Sequence, residues 1–539
     1  MRNRKNCVLI FCILLVLFSF TGCTEKGVLF LPGDEEEQWE EISSNEIYLP
    51  LERIRGINPL TYQDVDAYHI SRLVLEGLVK LDDTLTAEPS LAESWNYAPD
   101  RSSLIFHLRR EVKWQDGTAF TAQDVKASID AYLKAAKLMP PIYAEQLRSV
   151  KECRVLSDQE VELIFTNKDS IAVENFTVPI LSKKQLDTLK NPAQTDPAWI
   201  VIGTGPYRIE TLDPLTQVVL APHSEYYGEQ KANNRLIFQV IPNHEDALSL
   251  FDISQINMAI FTGLDTGTLY SNKDLSTQSF LSNEVEVLGF QCTSPLLQDK
   301  KVRQAISCAI DLNEIIEVAY YHNGVMNDTI YYPDYLTPAK GEYAQAPDLA
   351  KAKRLLTEAG FINRDSDERL EDSLGNELVL EILVNSGDRS RNLAAQIIQK
   401  GLDNLQVDSV IIVEDWSAYQ ARIAAGNYDV FVGGWTIHPL YDLRSMLHSK
   451  AANPAKYANP EMDFLLDQMQ SGIQGEERLS TYLKIKEVLK EDTPYLSLLY
   501  KTYTRVNTAS LQGNWDPSFF SFYQGAEQLS NLYRVPAKK

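Results

Sequence analysis

Few residues in this chain stand at spacings that could carry chemistry. His244-Glu245 lacks the second histidine, four residues after the first, that a zinc-protease helix needs to hold its metal, and neither G-x-S-x-G nor S-x-x-K marks an activated serine. The seven histidines stand singly, so each reads as a surface or core-satisfied ring rather than a ligand. Cys153, Cys292 and Cys308 form no C-x-x-C and lie near no histidine at ligand spacing, which leaves a metal or redox site without support. A disulfide between Cys292 and Cys308 stays open, because sequence does not place their Cα atoms. Gly203-Thr204-Gly205-Pro206-Tyr207 offers two glycines of a phosphate cradle, but Arg208 stands where a third glycine or a lysine is needed, so it reads as a strand-entry turn. No catalytic residue, metal ligand or cofactor is therefore expected. What remains is binding. A strand over Asp429 to Gly434 ends in two glycines, where a ligand backbone could approach closely and pair with the strand edge, and Trp435 follows as a large, stiff wall.

The elements that position such a site alternate. Ala92 to Tyr97 reads as a strand, Pro99-Asp100-Arg101-Ser102 as a turn, and Leu104, Phe106 and Leu108 as the apolar face of a return strand. Thr121, three residues before Asp124, caps a helix carrying Val125, Ile129 and Tyr132. Pro347 to Phe361 is an amphipathic helix with Gly360 as its stop. Leu378 to Val384, Arg391 to Leu405, Val407 to Glu414, Trp416 to Ala425 and Tyr428 to Gly434 then read as strand, helix, strand, helix and strand, a βαβαβ lobe.

The order of several words says more than their local structure. L-A-E-S-W from Leu91, F-H-L-R from Phe106, V-K-W-Q-D-G from Val112 and F-T-A-Q-D-V from Phe120 are followed by the G-T-G-P-Y run and by V-R-Q-A at Val302. The string resembles the signature of the extracellular solute-binding proteins that serve ABC importers of oligopeptides, dipeptides and nickel. The resemblance implies an α/β, two-lobed periplasmic-binding-protein-like fold of type II, hinge-closing, with an extra subdomain on the first lobe. It places a discontinuous first lobe at 46–61, 200–288 and 505–539, the extra subdomain at 62–199 and the second lobe at 289–504. It implies that Gly433, Gly434, Trp435, Thr436, His438, Tyr441 and Asp442 border the cargo. In peptide-binding members an aspartate three residues after this tryptophan holds the peptide ammonium; here that place is His438, and Asp442 or His438 would read the cargo terminus. The expected role is to bind a peptide-like solute, close over it and hand it to an ABC permease. A nickel or metal chelate, or an oligosaccharide, is the alternative cargo; a signalling receptor and an extracytoplasmic hydrolase are competing classes.

The chain ends agree with export. Arg2, Arg4 and Lys5 precede a short apolar run from Cys7 to Phe20, too short to span about 30 Å of hydrocarbon, so residues 1–22 read as a signal peptide. Phe20-Thr21-Gly22-Cys23 resembles a bacterial lipobox with Phe20 in place of the usual leucine, which implies lipidation of Cys23 and a place on the outer face of the cytoplasmic membrane. Residues 23–45, with Asp34 to Glu37 and Glu40-Glu41, read as an acidic tether. Loss of the signal takes the formal charge from −23 to about −26, which argues against nucleic acid or anionic lipid as partner. A monomer is expected.

Overall fold

The computed structural model describes residues 39–536 apart from 62–63, 137–142, 144–145, 167–171, 190, 192–198, 230, 243–246, 253–254, 264–274, 338–345, 365–368 and 438–441. Residues 43–532 form one compact unit, described below; of the other, Met1–Ile42 with Tyr533–Lys539, residues 39–42 and 533–536 are strand. The expected tether is thus strand from Trp39 on, and Cys23 lies outside the described residues.

Along the chain, β1 (Glu46–Leu51) leads to α1 (Val65–Val74), then to the predicted hairpin of β2 (Ala92–Tyr97) and β3 (Ser103–Leu108). The turn between them is closed by Arg101 at φ 54°, and Leu104, Phe106 and Leu108 are buried as their alternation requires. Helix α2 (Ala122–Ala135) starts at Thr121, whose backbone N–H donates to Asp124 Oδ2 at 2.9 Å. It covers an antiparallel sheet completed by β4 (Val150–Ser157) and β5 (Glu160–Phe165), in the order β2-β3-β5-β4. Next come β6 (Tyr207–Asp213), β7 (Gln217–Pro222) and β8 (Arg235–Val240), which join β1 in a second sheet of order β1-β8-β7-β6. The G-T-G-P-Y run enters β6 as expected. A Cβ on Gly203 would stand 1.7 Å from Val74 O, so this turn needs glycine to pass the end of α1.

The largest sheet is built from β9 (Met258–Thr262), β10 (Leu275–Phe290), β11 (Val379–Asn385), β12 (Asp408–Glu414), β13 (Val430–Thr436) and β14 (Tyr495–Thr508), in the order β9-β14-β10-β13-β11-β12. Helices α3 (Lys300–Ala309) and α4 (Leu349–Glu358) precede β11, with Gly360 at φ 92° ending α4. The βαβαβ run is present: α5 (Arg389–Asp403) and α6 (Trp416–Ala425) link β11, β12 and β13, and β11 pairs parallel to both. One strand departs from expectation. β13 does not stop at Gly434 but runs to Thr436, because Trp435 and Thr436 stay paired with Val285 and Glu284 of β10.

Two features of this sheet matter for function. The long antiparallel strands β10 and β14 pair from Leu275↔Thr508 to Leu281↔Thr502 and again from Val285↔Tyr500, so Ser282, Asn283 and Glu284 face only Lys501. This wide bulge bends the pair and redirects side chains. After β13, α7 (Pro460–Gln470) and α8 (Gly475–Asp492) lead to β14. Arg478 of α8 forms a buried ion pair with Glu174 and donates from Nη2 to Tyr335 Oη at 3.1 Å. Around it Arg101 Nη1 donates to Ser471 O at 3.2 Å and Leu336 N to Thr84 O at 3.0 Å, which joins segment 84–174 to segment 335–478 along a seam. Cys153, Cys292 and Cys308 are free thiols, and burial pushes Cys153 up to about 12 and Cys292 to about 11, so both stay protonated at neutral pH.

Candidate functional site: a charged cleft at the strand bulge

A cleft of about 1080 Å³ opens beside the bulge. Its walls come from distant parts of the chain: Arg53 and Asp64 near α1, Phe261 of β9, Glu284 of β10, Tyr503 of β14, and Phe522. Phe522 stacks on His69 with ring centroids 3.6 Å apart, and its N–H donates to His69 Nδ1 at 3.3 Å. Burial, helped by Arg72, holds the His69 imidazole down at about 3, so it is neutral and can accept that bond.

A smaller cavity of about 240 Å³ shares Thr262, Gly263, Glu284 and Tyr503 with the cleft and continues toward Tyr320, Asp388, Lys501 and Thr502. Here the bulge has a chemical result, since it presents Glu284 and Lys501 together. Lys501 Nζ lies 3.1 Å from Glu284 Oε2 and 2.9 Å from Glu286 Oε1. Arg391, in the first turn of α5, meets Glu286 at 2.8 and 3.0 Å and Asp388 at 3.4 Å. Glu286 is 1% exposed. Burial alone would raise its carboxyl, but Arg391 and Lys501 outweigh it and keep it below the usual carboxylate range. For Lys501 burial works downward, and Glu286 and Glu284 reverse it.

Of the residues singled out from the sequence, Gly433, Gly434, Trp435, Thr436 and Asp442 are described, and none of them lines either cavity. Trp435 is half-buried and meets Phe431 and Tyr495 edge-on, at 6.0 and 5.7 Å between centroids. The two glycines serve internal groups: a Cβ on Gly433 would stand 2.6 Å from Tyr419 Oη, and one on Gly434 2.7 Å from Glu286 Oε1 and 2.8 Å from Arg391 Nη2. Tyr419 Oη donates to Val432 O at 3.0 Å, which satisfies part of the edge that β13 shows beyond its pairing with β11. Thr436 is exposed and sits opposite Glu284. Asp442 is held by Arg444, with Nε at 2.9 Å from Oδ1 and Nη2 at 2.6 Å from Oδ2; burial would raise its carboxyl, and this pairing outweighs it. His438 and Tyr441 lie outside the described residues.

Sequence reasoning missed Glu284, Glu286, Asp388, Arg391, Lys501 and Thr502. One signal was visible. Glu286 interrupts the apolar run Val285 to Phe290, and a carboxylate in a buried strand demands a partner. Among the described residues, no group of three or more His, Cys, Asp or Glu could hold a metal ion, and no helix is long and apolar enough to cross a membrane.

Comparison with known proteins supplies the family. The oligopeptide-binding protein AppA of Bacillus subtilis is 24% identical over 537 residues, 95% of this chain and 96% of its own length. The unliganded open form of MppA, a periplasmic murein tripeptide binding protein, superposes with TM-score 0.77 at 19% identity, covering 92% of this chain and 99% of that one. A nickel ABC transporter structure from Bacillus halodurans gives TM-score 0.76 at 18% identity, covering 91% and 100%. The model of the bacterial extracellular solute-binding proteins, family 5, matches residues 86–454. A chain with this two-lobed α/β build and this match across more than half its length belongs to the bacterial extracellular solute-binding proteins of family 5.

Proposed function

We propose that this chain is the lipid-anchored receptor of an ABC importer, held to the membrane through Cys23, that binds peptides in the cleft beside the bulge and delivers them to a permease. The observation that carries the reading is the cleft of about 1080 Å³, walled by β1, the start of α1, β9, Phe522, and Glu284 and Tyr503 beside the bulge of the β10–β14 pair. Contacts made to both sides exist together only when the lobes are closed, so a bound peptide shifts the population toward closure without covalent chemistry. The lobe boundaries proposed for this motion are those read from the sequence, with β10 and β14 as the crossing strands. Likeness to AppA over nearly the whole chain supports peptide cargo, and likeness to the nickel transporter protein keeps a metal chelate as the second reading.

The test is to incubate the purified protein with a random peptide mixture and identify by mass spectrometry what co-purifies. A verified peptide at a hundredfold excess over its Kd should stabilise the fold by about 2.7 kcal/mol and raise the melting temperature. Small-angle scattering should show a more compact particle. If nickel complexes co-purify and no peptide does, the cargo assignment is wrong.

Thr436 pairs with the cleft residue Glu284, and from that we place His438, Tyr441 and Asp442 of the chain that follows along the cargo. His438→Ala and Asp442→Asn should each weaken binding of a verified cargo at least about tenfold, or about 1.4 kcal/mol, the second by releasing Arg444 from the loop. Calorimetry giving unchanged affinity in both variants would remove the loop from the site.

A further inference from the structure

A further cavity lies apart from the cleft, where the V-K-W-Q-D-G turn meets the hairpin of β6 and β7. At about 150 Å³, its lining includes Trp114, Gln115 and Gly117 of the turn, with Arg208, His223 and Glu225 opposite. The two sides are fixed to each other, since Gln115 Nε2 donates to Tyr207 O at 2.6 Å and Gln115 Oε1 accepts from Gly203 N at 2.9 Å. The glycine run is no cradle here: Gly203 N is taken by Gln115 and Gly205 N by Val74 O. His223 is 6% exposed, and its Nδ1 lies 3.0 Å from Gly205 O. A carbonyl only accepts, so Nδ1 carries the proton and Nε2 of the neutral ring is a bare acceptor. Nε2 has no hydrogen-bond partner among the described residues and is open to solvent. The charges are uneven as well. Glu225 is answered by Lys113 at 3.1 Å, and Asp116, next to Gly117, by Lys184 at 2.9 Å. Lys231 Nζ reaches Ser224 O at 3.5 Å. Arg208 is exposed, lines the cavity and has no partner among the described residues. A guanidinium without a counter-ion suits an anion, and a bare ring nitrogen repels an anion unless the anion brings its own proton. The volume, below the roughly 300–1,000 Å³ of a drug-sized site, holds one small group.

We propose that this cavity binds a small oxyanion that keeps an acidic proton at neutral pH, hydrogen phosphate or hydrogencarbonate, with its O–H donated to His223 Nε2 and its charged oxygens held by Arg208. Such a group completes both observations, because it neutralises the unpaired guanidinium and supplies the hydrogen that the ring nitrogen lacks. Sulfate has the shape and charge of hydrogen phosphate but no proton, so the same nitrogen turns it away. None of the lining residues borders the cleft, so the site stands or falls apart from the cargo.

The test is calorimetry on the intact mature protein at neutral pH and matched ionic strength, with sodium phosphate, bicarbonate and sulfate as titrants. Phosphate or bicarbonate should bind at least about tenfold more tightly than sulfate, and the tighter of the two identifies the ligand. Arg208→Gln changes an exposed side chain without a partner, so it should weaken that anion at least about tenfold while melting without anion stays the same. His223→Asn keeps a donor for Gly205 O and removes the acceptor, so its preference over sulfate should disappear. Should that variant fail to fold, the sulfate comparison and Arg208→Gln still decide. If sulfate binds the parent as tightly as phosphate and bicarbonate, or if Arg208→Gln binds the anion unchanged, the site is overturned. Binding of none of the three anions overturns it as well.

Discussion

His69 couples the cleft wall to pH through a single ring. Unfolded, its imidazole titrates near 6.5; folded, burial and then Arg72 hold it at about 3. Between those values the unfolded chain carries the extra proton, so the stabilisation is complete above pH about 6.5 and is lost as pH falls toward 3, by about 1.4 kcal/mol per pH unit. Urea unfolding of the parent and of His69→Asn at pH 7, 5.5 and 4.5 should show the variant losing less stability on acidification; parallel curves would refute the assignment. From sequence His69 was one of seven scattered rings, and nothing in its neighbours announced that Phe522, 453 residues away, would stack on it. Glu286 and Arg391 were hidden in the same way, since 105 residues separate them.

At the scale of elements, β13 is where sequence and structure agree most on type and least on purpose. The βαβαβ run was legible because apolar periodicity is a local property, and observed and expected boundaries differ by two residues or fewer. The extension of β13 past Gly434 to Trp435 and Thr436 was not legible, because two glycines weaken a strand and only pairing with β10 carries it further in register. Nor was the reason for the second glycine, which makes room for the Glu286–Arg391 pair. Gly434→Ala puts a methyl 2.7 Å from Glu286 Oε1 and 2.8 Å from Arg391 Nη2, so it should cost about 3 kcal/mol by prying apart a buried ion pair. Chemical denaturation would measure this, and a loss below about 0.5 kcal/mol would mean that the backbone yields and the pair survives. Gly433→Ala strains chiefly against the side-chain end of Tyr419, with the Phe431 ring next at 3.2 Å, and should cost less because no ion pair is parted.

Across the whole molecule, the seam around Glu174 and Arg478 fastens parts of the chain 304 residues apart. Both side chains are buried, at 3% and 7% exposure, so removing one partner strands the other in a poorly solvated place. Arg478→Met should therefore destabilise the protein by about 3–5 kcal/mol, whereas adding Glu174→Leu should restore much of that, a non-additivity readable from melting of the two single variants and the double. Additive losses would show that the pair acts through packing alone. The same chemistry bears on how readily the two segments part. Charges pulled from a dry contact into water regain hydration that oily surfaces never recover, so a seam centred on ions loses less on separation than one of matched hydrocarbon. Nature has placed a detachable fastening where a greasier one would hold more firmly. The apolar double variant should consequently stay shut longer and release its cargo more slowly than the parent.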